Sequence, residues 1–246
     1  NYNEVLYAGC DYVTDNNQLA VYPDDPYEGA TWDEENPADQ NWAFEAIEMP
    51  SAWEYNNKLN DTSIKIGVVE NGYYTSHEDF PDDYEIFDES NGNIDGKNHG
   101  TGVVGTIAAK SNNGIGVSGI VWNPGKMLLG INDSQNWTSS SVSLFTRLVE
   151  NGAKVINLSL FAGIYGEEAA LIIAKLVNNG YDFIAVQAAG NIPEEDSQYN
   201  GLFCTITDEI AEKVASETGL TAEDITGRKI CVAASTKTES GYWYAG

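Results

Sequence analysis

The sequence predicts an α/β fold, a parallel sheet covered by helices on both faces, and three observations carry that expectation. Short apolar runs rich in Val and Ile recur along the chain. Helical stretches, amphipathic or lined with small residues, alternate with them. The length of 246 residues, with 24 glycines against 7 prolines, suits a large core joined by tight turns.

Residues 1–38 read differently from the rest. Val5-Leu6-Tyr7-Ala8 and Tyr12-Val13 predict a short strand. From Tyr22-Pro23-Asp24-Asp25-Pro26 to Trp32-Asp33-Glu34-Glu35-Asn36-Pro37 the chain is acidic and proline-bearing, and it reads as a linker lying on the surface. Pro50 to Tyr55 predicts a short helix opened by its proline. The alternating core follows. Strands are expected at Ile64–Val69, Met127–Ile131, Val155–Leu160, Phe183–Ala189 and Ile230–Ala234. Helices are expected after His99, over Ser140–Glu150 with Val142, Phe145, Leu148 and Val149 on one face, and over Glu167–Asn178, stopping at Gly180. An extra helix is expected over Thr207–Ser216, with a short turn more over Ala222–Ile225. No internal repeat is visible.

Composition narrows the partners. Lys+Arg number 12 against 38 Asp+Glu, a formal net charge of -26. So acidic a chain repels nucleic acid and anionic membranes and attracts divalent cations. No run of 18 apolar residues occurs, so no membrane span is expected. Cys10, Cys204 and Cys231 form no CxxC or Cys/His cluster, which argues against zinc or thioredoxin-like chemistry. Their odd number argues against a disulfide framework. The chain starts at Asn1 rather than Met and shows no signal peptide, so it is expected to be processed or part of a longer one.

Functional groups of open α/β sheets gather at the carboxyl ends of strands. The first core strand delivers Glu70-Asn71-Gly72 there, and the fourth delivers Gly190-Asn191. His99, in Asn98-His99-Gly100-Thr101-Gly102, opens a small-residue helix that should approach the same edge. An acid can hold an imidazole's tautomer, and a side-chain amide can stabilise a tetrahedral oxyanion.

In these residues the chain resembles the subtilisin-like serine peptidases, the subtilases. Val68-Val69-Glu70-Asn71-Gly72 with Ser76-His77-Glu78-Asp79-Phe80 looks like the acid motif, and His99 to Gly105 like the histidine motif. Val155 to Leu160 resembles the strand bordering substrate, and Ala188-Ala189-Gly190-Asn191 the oxyanion segment. The order acid, His, Asn is that of subtilisin, unlike chymotrypsin or the α/β-hydrolases. The resemblance implies a subtilisin-like sheet, incomplete at its C-terminal end. It implies residues 1–15 as a propeptide remnant, 16–38 as an acidic linker and 39–246 as a catalytic domain lacking its final segment. Glu70, His99 and Asn191 are the implied catalytic residues, and Ser159, Leu160 and Phe161 the implied substrate border.

The resemblance also implies a structural calcium site. Its side-chain ligands would be Gln40, Asp79 and Asn113, with backbone oxygens from Ser111, Ile115 and Val117. That all-oxygen set suits Ca²⁺. Implied partners are polypeptide substrate and the chain's own propeptide, with no nucleic acid, and the implied location is extracellular or at the cell surface.

Four departures from the family stand out. No Gly-Thr-Ser-Met-Ala type motif occurs, so the nucleophile is expected beyond Gly246 and the chain itself should be inactive. Glu70 stands where the family has Asp, and its extra methylene puts catalytic geometry in question. Phe161 replaces a usual Gly beside the substrate, and Gly102 a common His. The functional expectation is a serine endopeptidase with an acid-His-Ser triad. The alternative is a pseudoprotease that binds polypeptide without cleaving it.

Overall fold

The computed structural model describes residues 23–25, 44, 47–59, 63–92, 97–160, 166–190 and 201–232. The chain divides into two compact units. One comprises residues 1–23 and 27–60; the other comprises residues 24–26 and 61–246. In the first, helix α1 (Met49–Leu59) starts one residue before Pro50, and Trp53 meets Phe44 edge-on at 5.3 Å between ring centroids. The predicted strand at Val5–Val13 lies outside the described residues.

The second unit is built on six parallel strands: β1 (Lys65–Glu70), β2 (Tyr84–Asp88), β3 (Met127–Ile131), β4 (Ala153–Leu158), β5 (Ile184–Ala188) and β6 (Lys229–Val232). Their order is β2-β3-β1-β4-β5-β6. Helices α2 (Lys97–Ala108), α3 (Trp137–Glu150), α4 (Gly166–Asn178), α5 (Asp208–Thr218) and α6 (Ala222–Thr226) connect them. Adjacent residues of one strand serve opposite faces, as strand geometry requires. Val68 and Leu129 pack with Val104 and Ala108 of α2. Val69 and Leu128 pack on the other face with Leu144, Phe145 and Leu148 of α3, Ile173 of α4 and Val214 of α5.

Most expected elements are present with boundaries moved by a few residues. Strand β4 ends at Leu158, so Ser159 and Leu160 follow it rather than belong to it. His99 sits in the first turn of α2, two residues inside its start. Thr207 is the N-cap of α5, its side chain accepting from the Ile210 N–H. The turn expected near Ala222 is a short helix closed by a Thr221–Asp224 capping box. Edge strand β2 was not expected. Its sequence, Tyr84-Glu85-Ile86-Phe87-Asp88, carries charges and leaves Ile86 exposed, which blurs the apolar signal. Val142 is only partly buried; Ser140, Ser141 and Leu144 share the core face of α3 with Phe145, Leu148 and Val149.

The cysteine expectation is corrected. Cys204 and Cys231 form a disulfide across 27 residues of sequence, with Cα atoms 5.6 Å apart. An odd count leaves one thiol over but does not prevent the others from pairing. Here β6 brings Cys231 beside β5, and the turn after Gly201 brings Cys204 to the same place. Closing a loop of this length restricts the unfolded chain by about 3–4 kcal/mol.

Candidate active site

Glu70 is the last residue of β1, a central strand flanked by β3 and β4. The residue is buried, at 2% exposure. Helix α2 reaches it because residue 100 is glycine. A Cβ there would lie 2.2 Å from the Gly72 carbonyl oxygen and 3.0 Å from the Glu70 Cβ. The Thr101 hydroxyl fixes the approach by accepting from the Tyr74 N–H at 2.8 Å and donating to the Lys97 carbonyl at 2.7 Å.

The outcome is a contact of 2.9 Å between Glu70 Oε2 and His99 Nδ1. The extra methylene of Glu therefore does not prevent the acid from reaching the imidazole. The imidazole is 60% exposed while the acid is buried, so the pair presents its ring outward. Burial pushes the Glu70 carboxyl above its ordinary range; the His99 hydrogen bond and charge, and the Asn71 N–H, pull it part of the way back. Its second oxygen, Oε1, is buried without a protein partner. The Tyr73 hydroxyl lies beneath, 2.9 Å from the Val68 carbonyl and 3.1 Å from that of Gly130, tying β1 to β3. Burial and the Glu70 charge hold that phenol well above its usual pKa.

Ser159 and Leu160 continue from β4, whose Leu158 pairs with Val69 of β1, so they lie at the same sheet edge as Glu70. The Asn157 side chain donates to the Ser159 hydroxyl at 2.9 Å. A residue not singled out from sequence fixes this segment from behind. Gln187, fully buried in β5, donates its amide to the Leu160 carbonyl at 2.6 Å and is 3.1 Å from the Leu158 carbonyl. A glutamine in an apolar strand was the available signal. Phe161 and Asn191 lie outside the described residues.

At its far end α2 leads into the 109–117 loop, which meets the acid loop. Asp79, 5% exposed, accepts from the Asn113 side-chain amide at 2.9 Å and from the Val117 N–H at 3.1 Å. A Cβ on Gly116 would lie 2.5 Å from Asp79 Oδ2, so glycine permits the close approach. Ser111 and Ile115 belong to this loop; Ile115 N–H donates to Asn113 Oδ1 at 2.8 Å. Gln40 lies outside the described residues. Among the described residues no cluster of three or more His, Cys, Asp or Glu forms a metal-binding group. The groups that face the Asp79 carboxylate are N–H donors, the Asn113 side-chain amide and the Val117 main chain.

Two hollows flank these features. One, about 230 Å³, lies between the acid loop and α2, lined by His77, Asp79, Phe80, Gly102 and Gly105. A Cβ at either glycine would meet nothing within 4 Å, so the absence of a side chain at Gly102 leaves open space. A larger one, about 770 Å³, lies against α3 and α4, lined by Trp137, Val142, Glu168, Leu171 and Ile172.

The model of the subtilase family of peptidases matches residues 61–222. The chain belongs to the subtilase family. Thermitase of Thermoactinomyces vulgaris is 27% identical over 178 residues, 69% of this chain and 58% of the thermitase. Subtilisin DY of Bacillus licheniformis is 32% identical over 142 residues, 55% of this chain and 50% of the subtilisin. A solved protease of Pseudoalteromonas arctica PAMC 21717 aligns at a TM-score of 0.51 and 25% identity, covering 69% of this chain and 59% of that one. This subtilase chain thus spans about half the length of the curated relatives it matches. Among its described residues no helix is long and apolar enough to cross a membrane.

Proposed function

We propose that the whole protein is a subtilisin-like serine endopeptidase in which Glu70 and His99 are two members of the triad. The observation that carries this reading is the 2.9 Å contact from a buried carboxylate to Nδ1 of an exposed imidazole. A carboxylate at Nδ1 holds the proton there and leaves Nε2 free to accept another. A serine supplied beyond Gly246 would give its proton to Nε2 as its oxygen attacks the peptide carbonyl. Glu70 would stabilise the imidazolium, which then protonates the leaving amine. The Asn191 amide would stabilise the oxyanion.

Substrate polypeptide would lie extended along Ser159 and Leu160. Gln187 supports this by holding the Leu158 and Leu160 carbonyls on the other side of that segment. Phe161 would narrow the border, and the chain's own propeptide would occupy the same cleft before processing. The Cys204–Cys231 bridge favours an oxidising compartment, hence secretion or display at the cell surface.

Calcium belongs to the same proposal. The Asp79 carboxylate, the Asn113 amide oxygen and the loop carbonyls are hard donors of the kind Ca²⁺ takes, and binding would require the Asn113 amide to turn its oxygen toward Asp79 in place of the N–H that faces it. Asp79, Asn113 and Gln40, with the carbonyls of Ser111, Ile115 and Val117, would hold it. Bound calcium would supply charge neutralisation and crosslink the arm to the loop.

A pseudoprotease that binds polypeptide without cleaving it is the second reading, favoured by Glu70 where the family has Asp and by Phe161 where it usually has Gly. The two readings separate on the product of the complete gene. A serine-directed fluorophosphonate should label it, and His99→Ala should abolish the labelling. Tight peptide binding without labelling would establish the pseudoprotease instead.

A further inference from the structure

Asp25 lies in the acidic tract that sequence reading treats as a surface linker, yet it is only 3% exposed. Its carboxylate accepts three main-chain hydrogen bonds from residues 87 to 89 positions away. They come from Asn112 N–H at 2.9 Å, Asn113 N–H at 3.0 Å and Gly114 N–H at 3.1 Å. The Asp24 N–H adds a contact of 3.3 Å to the Asn112 side-chain oxygen. Asn112 and Gly114 have left-handed backbone, φ 60° and 70°. That conformation turns successive N–H groups into one concavity, an arrangement that receives anions. Residues 24–26 accordingly group with residues 61–246, whereas residues 27–60 do not.

We propose that the 112–114 loop is a carboxylate-binding site and that Asp25 is its resident ligand, fastening residues 24 and 25 to the unit built on the parallel sheet. A carboxylate suits three converging donors because it accepts at both oxygens and carries the complementary charge. Asn113 makes the site more than a local turn. Its main-chain N–H holds Asp25 while its side-chain amide holds Asp79, so one residue bridges two buried carboxylates from distant parts of the chain. Asp25 itself groups with residues 61–246. The proposal does not depend on the peptidase reading or on calcium.

Amide hydrogen exchange on the full chain in calcium-free buffer tests it. Asp25→Ala should speed exchange of the Asn112, Asn113 and Gly114 amides about tenfold or more, with the β1, β3 and β4 amides unchanged. Acetate, but not chloride, should restore protection by entering the vacated site. Asp24→Ala, which keeps the carboxylate of Asp25, should leave protection intact. Asp25→Asn fills the same volume, leaves no room for acetate, and is read by faster exchange of these amides alone should the alanine variant fail to fold. Unchanged protection of these amides on loss of the Asp25 charge would overturn the proposal. So would faster exchange in Asp25→Ala that acetate does not reverse.

Discussion

Helix α2 joins two regions that treat buried carboxylates in opposite ways. At its start, Glu70 gives one oxygen to His99 and leaves the other without a protein partner, and burial raises its pKa. Beyond its end, Asp79 and Asp25 each have both oxygens occupied by N–H donors. A carboxylate with unspent acceptor capacity beside an exposed ring is poised to respond to a change of charge on that ring. Carboxylates saturated by donors instead fasten loops. On the proposed reading, a carboxylate thus serves chemistry at one end of the helix and architecture at the other.

The comparison is broken hardest at the ring. In the full-length protein His99→Ala should lower kcat by roughly 10⁴-fold or more, leaving the fold intact, as measured by steady-state peptide hydrolysis and circular dichroism. At the other end, calcium that displaces the N–H donors from Asp79 should, at a hundred times its Kd, stabilise the protein by about 2.7 kcal/mol. Thermal unfolding with and without chelator measures this, and Asp79→Ala should remove the difference.

Two glycines on α2 sharpen the contrast between packed and open faces. Gly100→Ala should cost about 2 kcal/mol, because its Cβ meets the Gly72 carbonyl. Gly102→Ala faces open space and should stabilise by about 0.5–1 kcal/mol through helix propensity. Denaturant titration should give these opposite signs.

The smallest effect concerns pH. Because burial raises the folded pKa of Glu70, its ionisation costs stability above that pKa, and the cost disappears below the ordinary carboxylate range. Glu70→Gln should therefore raise the unfolding temperature slightly at neutral pH. The advantage should vanish as pH falls through the raised pKa towards that range.

Much of the fold was legible because buried parallel strands are nearly continuous apolar runs, and Met127–Ile131 was bounded correctly from that signal alone. β2 escaped because its charged, half-exposed residues carry no such run. Of the site, Glu70 and His99 were legible from strand-end position and residue type. Gln187 was passed over because its role depends on two carbonyls of a neighbouring segment. The Cys204–Cys231 bridge and the Asp25 anchor were illegible for the same reason. Both join positions far apart in sequence, and neither leaves a local pattern.

The most direct test of the central claim is hydrolysis of a peptide substrate by the full-length protein and its Glu70→Gln variant at neutral pH. The account predicts measurable turnover by the unmodified protein and a loss in kcat of roughly 10⁴-fold on substitution, with KM little changed. Equal turnover by the two proteins would show that Glu70 does not act on His99, and no turnover by either would contradict the peptidase reading itself.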